Sequence, residues 1–175
     1  MKNAIEIRNE LVDGLNAMYQ EFTDTLEQFS DEQINQVPFE GSWTPGQVAD
    51  HIIKATGGIP DQHTDVPNRD YNEKVGAVDS MFLDFTTKFK SPPFVVPGNG
   101  PFVKSQLIGT LKGLAEKHKE KINETDLTML CLKFELPVIG TMTRYEWYRF
   151  MLAHGKRHVF QLKNILAAMA PAETS

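Results

Sequence analysis

Residues 143–158 read TRYEWYRFMLAHGKRH, and this stretch decides the fold. Thr143 and Glu146 have the spacing of a capping box, in which each side chain bonds the other residue's free backbone N–H at a helix start. The apolar residues and two histidines that follow recur every three or four positions, which is the period of a helix with one buried face. The inward stripe of this predicted helix, which Pro171 ends, consists of Trp147, Met151, His154, His158, Leu162, Ile165 and Met169.

Three further long helices are predicted upstream of this stretch. Apolar residues in the range 7–29 recur at steps of three and four, and the same period runs through residues 107–122. Between these two segments, Thr44 and Gln47 form a second capping box, with Pro45 at the first helical position. The sequence therefore predicts four principal helices, two of which begin at well-defined caps.

The segments between these helices predict no sheet. Residues 75–89 have helical spacing, and residues 91–101 contain four prolines and two glycines and must be extended or turned. Residues 127–141 are interpreted as a connecting excursion. Four helices without a strand ladder predict an all-α, antiparallel four-helix bundle with long connecting segments, in a single domain spanning residues 1–175.

Composition and charge exclude several classes of protein. With 41% hydrophobic and 23% charged residues, the chain is not collagen-like, disordered or a coiled coil. Its 18 Lys and Arg against 23 Asp and Glu give a net charge of −5, which argues against a nucleic-acid partner. No apolar run is long enough to cross a membrane, and the N-terminus lacks the pattern of a secretion signal. The single cysteine, Cys131, excludes an intrachain disulfide and a cysteine-rich zinc site and favours a cytoplasmic location.

His154 and His158 lie one turn apart on the same inward face of the last predicted helix. Two such imidazoles have two interpretations: each is hydrogen-bonded in the core, or both bind one metal ion. A third ligand is available in His51, which lies beside the apolar stripe of the second capped helix, and bundles build cofactor sites from facing helices. Three imidazoles would hold a divalent ion and leave a coordination position open, as catalytic sites do.

Two motifs in the chain resemble the DinB-like family, which includes the YfiT-type metal-dependent hydrolases. They are WTPGQVADHI at residues 43–52 and, about a hundred residues later, TRYEW at 143–147 with HGKRHVFQL at 154–162. The resemblance covers the whole chain and implies a four-helix bundle, often a homodimer, with a divalent metal held by three histidines. Residue by residue, the ligand motif falls on His51, His154 and His158.

The resemblance leaves the reaction open. Relatives include hydrolases, enzymes that transfer low-molecular-weight thiols such as bacillithiol or mycothiol, and members without an assigned activity. The first hypothesis is therefore a metal-dependent hydrolase or thiol transferase acting on a small molecule, with no residue named as general base. The alternative is a non-catalytic, metal-stabilised bundle that binds a small ligand or a partner protein. Zinc or nickel is the expected ion, with iron as the alternative.

Four residues are predicted to line a substrate pocket, whose mouth is expected within residues 58–101. Trp43 and Trp147 are expected to wall it. His118, on the inner stripe of the third long helix, is an acid or base candidate, but capping or hydrogen bonding within that helix is the role expected of it. Arg157 is predicted to form an ion pair with an acid such as Glu146, the alternative being a clamp on an anionic substrate.

Three other side chains are assigned roles outside the chemistry. Cys131, in an apolar run, is predicted to be a buried and inert thiol. His63, among prolines and aspartates, is predicted to be a solvated loop residue. Asp50 is expected at the surface, with support of the neighbouring ligand His51 as the alternative.

Overall fold

The structure, a computed structural model, describes residues 2–170. Within this range, no helix has both the length and the apolarity needed to cross a bilayer. The helices are α1 (Ala4–Glu27), α2 (Pro45–Ala55), α3 (Val75–Phe82), α4 (Lys104–Glu124) and α5 (Arg144–Met169). The strands are β1 (Thr64–Asp65), β2 (Leu130–Leu136) and β3 (Gly140–Thr143), and short 3₁₀ turns lie at Gln33–Asn35 and Pro93–Val95.

The main core lies between α1, α2, α4 and α5. Helix α1 packs against α4 and α5, and α2 packs against the same two helices. The buried face of α1 follows the three- and four-residue steps predicted from the sequence. Because full burial of one Leu or Phe side chain contributes roughly 1.5–3 kcal/mol, this face is a main source of the bundle's stability. Its buried apolar residues are Leu11, Leu15, Met18, Tyr19, Phe22 and Leu26.

Both predicted capping boxes are confirmed, and they set the start of the two helices that carry the histidine cluster. At α2, the Gln47 N–H donates to Thr44 Oγ1 at 3.1 Å, and Gln47 Oε1 accepts from the Thr44 N–H at 3.0 Å. At α5, Glu146 and Thr143 exchange the equivalent bonds at 2.9 and 3.2 Å. Local hydrogen bonding therefore determines where both helices begin. The predicted stop at Pro171 lies outside the described residues.

The prediction of an all-α four-helix bundle is wrong, because the protein is mostly helical but also contains a three-stranded antiparallel sheet. Strand β2 lies between β1 and β3. Thr64 of β1 lies opposite Cys131 of β2, and Leu130 of β2 lies opposite Thr143 of β3. The segment interpreted as a connecting excursion is therefore a β-hairpin that leads directly into α5.

Two features explain why the sheet left so weak a signal in the sequence. Strand β1 has two residues, and the alternation of exposed and partly buried residues in β2 is confined to residues 133–136. In addition, Val138 has a positive φ of 74° in the connection between β2 and β3. That conformation is ordinarily marked by Gly or Asn, so the turn lacks the residue type that identifies a hairpin.

Helix α3 is shorter than its apolar spacing predicts. The helical period continues to Phe89, but the helix ends at Phe82. Just beyond this end, Asp84 Oδ1 accepts hydrogen bonds from the backbone N–H and the hydroxyl of Thr86, at 3.1 and 2.6 Å. Such local side-chain bonds offer the backbone an alternative to the helix. Residues 83–90 consequently continue as exposed chain, and four of them border the cavity described below.

A second, smaller core joins the sheet to α3 and α5. Cys131 and Met142 of the sheet pack with Val78 of α3 and with Trp147 and Phe150 of α5. All five side chains are at most 9% exposed. The sheet therefore lies against the first half of α5 and forms one wall of the space in front of the histidine pair.

Candidate metal centre

Three histidine side chains converge on one point between α2 and α5. His51 Nε2 lies 3.2 Å from His154 Nε2, and His158 Nε2 lies 3.1 Å from the same atom. One ring nitrogen from each residue lies within 4.8 Å of the other two. The structure therefore brings together the three residues that the sequence singled out.

The elements that carry these residues account for the convergence. His154 and His158 lie one turn apart on α5, and His51 lies in the second half of α2, which packs against α5. Gly155 follows His154 at the contact with α1, where a Cβ atom would overlap the side chain of Met18. The absent side chain allows α1 and α5 to approach closely beside the cluster.

Hydrogen bonds determine which nitrogen of two rings carries the proton. His51 Nδ1 lies 2.8 Å from the carbonyl oxygen of Val95, and His158 Nδ1 lies 2.6 Å from Gln161 Oε1. Both partners are acceptors, so both Nδ1 atoms carry hydrogen and donate. The Nε2 lone pairs of His51 and His158 consequently point toward His154.

This donor set fits a divalent cation. Two lone pairs facing a third imidazole nitrogen at 3.1–3.2 Å cannot both be satisfied by the single N–H of neutral His154. If His154 carries its proton on Nε2, one neighbour remains without a donor. If it carries the proton on Nδ1, that buried atom has no hydrogen-bond partner within residues 2–170. Nitrogens about 2.0–2.1 Å from one tetrahedral ion lie about 3.3 Å apart, close to the spacings found here. The cluster can therefore hold a metal ion.

Burial keeps the three imidazoles neutral. Desolvation lowers the pKa of His51, and it lowers the pKa of His158 to about 3. Desolvation together with the adjacent His158 and His51 rings holds the pKa of His154 well below its ordinary value. Since a histidine binds metal only as the neutral ring, all three are ready to bind without first losing a proton at neutral pH.

The cluster opens into a cavity of about 1210 Å³. Trp43, Trp147 and Arg157, three of the four predicted pocket residues, line it together with the histidines. Aromatic rings surround the cluster: the Phe150 ring stacks on His154 with centroids 5.2 Å apart, and the Trp43 ring lies 5.0 Å from His51. The nitrogens therefore face a space large enough for a small molecule and walled mainly by apolar groups.

His118 lies outside the cavity lining. Its Nε2 donates to the backbone oxygen of Thr56 at 2.6 Å, and its ring lies between those of Tyr19 and Tyr148. Tyr19 in turn donates to Thr56 Oγ1 at 2.7 Å. His118 thus joins α4 to the end of α2, so its hydrogen bond is not the expected one within its own helix.

The predicted ion pair between Arg157 and Glu146 is absent. Glu146 is fully buried and accepts two hydrogen bonds from Arg69, at 2.9 and 2.7 Å. Arg157 instead donates to the backbone oxygen of Asp84 at 2.7 Å, and its guanidinium lies 4.9 Å from the centre of the Phe89 ring. Arg69, which the sequence did not single out, is therefore the partner of the buried acid.

The remaining predicted side chains form no hydrogen bond with the clustered histidines. Cys131 is fully buried in the sheet, and burial raises the pKa of its thiol to about 12. His63 is exposed. Asp50 is only partly buried, but it is not free: its carboxylate accepts from the Gly98 N–H at 2.8 Å and pairs with Lys54 at 3.0 Å.

Two partners of the histidines were missed from the sequence. Gln161 lies three residues after His158, a spacing that puts both on one helix face. Its hydrogen bond to the His158 ring could therefore have been predicted. The carbonyl oxygen of Val95 had no such signal, because every residue carries one.

Comparison with known proteins identifies relatives of the chain. The family model described as the DinB superfamily matches residues 15–162. A curated relative, the uncharacterized protein YuaE of Bacillus subtilis (strain 168), is 26% identical over 155 residues, which cover 80% of this chain and 87% of YuaE. No solved structure gives a significant match.

Proposed function

The chain belongs to the DinB superfamily, and on that basis we propose that it is a metal-dependent enzyme that joins a low-molecular-weight thiol to a small electrophile. In this proposal His51, His154 and His158 hold the ion. Zinc or nickel is the expected metal, since neutral imidazoles suit both. A bound ion would lower the pKa of a thiol that reaches its open position, so that the sulfur is nucleophilic at neutral pH.

The single observation that carries the choice of thiol transfer over hydrolysis is the absence of acids from the cavity. Among residues 2–170, no Asp or Glu lines it. The zinc hydrolases with a helical histidine pair use an adjacent glutamate as the base for water. A free thiol has a pKa of about 8.5, far below the pKa of water, so it needs far less help to lose its proton. A cavity without a carboxylate base therefore suits a thiol better than water.

The thiol must come from another molecule. Cys131 does not line the cavity, and its raised pKa keeps it protonated. In the proposed step, the incoming thiol loses its S–H proton to solvent and its sulfur forms a bond to the electrophilic carbon. The leaving group departs with the bonding electron pair. Because no Asp or Glu among residues 2–170 lines the cavity, no carboxylate lies beside the electrophile to activate water for its hydrolysis.

The test uses protein purified without a histidine tag and loaded with Zn²⁺ or Ni²⁺. Glutathione is supplied with an aryl chloride, and formation of the thioether is followed beside hydrolysis of an activated ester. We expect about one metal per chain and thioether formation in the wild type. His158→Ala should lower both metal content and rate at least about tenfold, because even partners outside the ligand set change affinity by that factor.

His63→Ala is the matched control, since it removes an exposed histidine outside the cluster. It should retain metal and activity. Ester hydrolysis without thioether formation would replace the proposed reaction with hydrolysis. Full metal occupancy without either reaction would favour a non-catalytic, metal-stabilised protein, and a metal content unchanged in His158→Ala would reject the ligand set.

A further inference from the structure

The cavity in front of the histidine cluster differs in charge from the rest of the protein. The chain carries a net charge of −5, yet five cationic residues and no acid line the cavity among residues 2–170. The cations come from four separate parts of the chain: α2, the segment after α3, strand β2 and α5. They are Lys54, which pairs with Asp50 at 3.0 Å, and Lys88, Lys90, Lys133 and Arg157.

Arg157 is the cation that lies nearest to the ligands in sequence and is only partly exposed. It donates one hydrogen bond to the backbone oxygen of Asp84, whose carboxylate attracts it electrostatically but, within residues 2–170, forms no salt bridge with it. Its ring contact with Phe89 contributes to holding the guanidinium in place at the cavity. A guanidinium has five N–H donors, so this side chain retains donors for a ligand.

The walls between these cations are apolar and aromatic. The Phe82 ring lies 5.3 Å from Phe89 and 5.8 Å from His154, and the Phe85 and Phe160 rings stack with centroids 4.7 Å apart. Low-molecular-weight thiols such as glutathione are polar along their length and match such walls poorly. A ring-bearing molecule matches them well, because it removes apolar surface from water on both sides.

We propose that the electrophilic substrate is a small organic acid with an aromatic or similarly wide apolar body. Its body packs among the phenylalanine rings, and its anionic group binds Arg157, with Lys133 of β2, which also lines the cavity, adding attraction. That this acid is the electrophile of the reaction rests on the proposed function. Its binding as an anion depends only on residues of this chain.

The test measures binding rather than turnover, using metal-free protein so that a carboxylate cannot bind the ion. Both tryptophans of the chain, Trp43 and Trp147, line the cavity, so their fluorescence reports occupancy. The probes are 3-phenylpropanoate and its neutral amide, which have the same body. We expect the acid to bind about tenfold more tightly than the amide, the size of effect that one charged hydrogen bond supplies.

Two variants and one control test which residues produce the preference for the acid. Arg157→Gln should remove most of the preference for the acid, and Lys133→Gln should reduce it about threefold, as expected for an exposed charge. Lys156→Gln removes the same charge from the neighbouring, exposed residue outside the cavity lining and should change nothing. Lys133→Gln keeps the test decisive if Arg157→Gln disturbs the fold.

Equal affinity for the acid and the amide, or no saturable binding of either, would overturn the proposal. So would a preference for the acid that appears only after metal is added, or one that both variants leave intact. Displacement of 3-phenylpropanoate by glutathione would also overturn it, because the anion site would then belong to the thiol. A preference for the acid without thioether formation would reject the reaction and keep the anion site. Thioether formation without the preference would reject only the substrate class.

Discussion

His51 Nδ1 lies 2.8 Å from the carbonyl oxygen of Val95, so one ligand of the candidate metal centre is oriented by a loop rather than by its own helix. The loop is in turn held to α2. Gly98 N–H donates to Asp50 at 2.8 Å, Lys54 donates to the oxygen of Val96 at 3.1 Å, and all of these side chains lie on one helix. The orientation of His51 therefore depends on residues that do not touch it.

Replacing Asp50 by alanine is expected to weaken metal binding. The Gly98 N–H would lose its acceptor and the loop would hold the Val95 oxygen less firmly, which lowers affinity by up to about tenfold, the lower end of effects from partners of ligands. A zinc titration against a competing chelator measures the change. Asp13→Ala, at an exposed position of α1, is the control. Equal affinity in wild type and Asp50→Ala would show that the loop does not orient His51.

Two substitutions of Gln161 are expected to shift metal affinity in opposite directions. Gln161→Met removes the acceptor for His158 Nδ1–H while keeping similar volume, and should weaken zinc binding about tenfold. Gln161→Glu supplies a charged acceptor, which raises the basicity of the ring and should tighten binding. The same zinc titration against a competing chelator measures the affinity of both variants. A common direction of change would contradict the role given to this contact.

The metal-free protein is expected to lose stability as pH falls from 7 to 5. Burial lowers the pKa of His51, His118, His154 and His158. The unfolded chain therefore binds more protons than the folded one below about pH 6.5, and each histidine that stays neutral in the fold contributes a slope of up to about 1.4 kcal/mol per pH unit. Urea unfolding at successive pH values measures this slope.

His118 provides a test of that slope away from the metal cluster. His118→Gln retains a donor for the Thr56 oxygen but cannot be protonated, so the decline in stability between pH 7 and 5 should become shallower. His63→Gln, at an exposed histidine, should leave the slope unchanged. Identical slopes in His118→Gln and wild type would mean that His118 is protonated in the folded protein.

Removal of Arg69 is expected to destabilise the protein strongly. Arg69→Leu leaves the fully buried carboxylate of Glu146 without its counter-charge, which costs about 3–5 kcal/mol of unfolding free energy. Arg149→Leu, which breaks a half-exposed pair with Asp79, should cost at most about 1 kcal/mol. In a double-mutant cycle, Glu146→Gln should be less costly in the Arg69→Leu background than in the wild type. Additive costs would contradict a direct coupling of the pair.

Agreement between prediction and structure was closest where the signal is local. The capping boxes at Thr44 and Thr143 involve residues three positions apart, and the histidine pair on α5 is separated by one turn. Such relationships depend only on residues that are close together in sequence, so they can be predicted without knowing how the rest of the chain folds. The sheet was missed because the pairing of Thr64 with Cys131 joins residues far apart in sequence, and because the local β2–β3 hairpin turns at Val138 without the Gly or Asn that ordinarily marks such a turn.

The four residues predicted to line the pocket do not all face the cavity. Trp43, Trp147 and Arg157 line the cavity, and each lies within eight residues of a histidine of the cluster in sequence. His118 shares the inward periodicity of the same bundle but faces Thr56 instead of the cavity. Periodicity identifies the buried side of a helix, and it does not distinguish one part of the interior from another.

By itself, the sequence determined the helical character of the chain, the starts of α2 and α5 and the inward face shared by His154 and His158, because capping and periodicity act over a few residues. Only the tertiary structure decided which groups complete the site: the Val95 carbonyl on His51, Arg69 on Glu146, and a cavity lined by cations in an acidic protein. All of these bring together residues from distant segments, and in the first of them the partner is a backbone carbonyl, a group that every residue possesses.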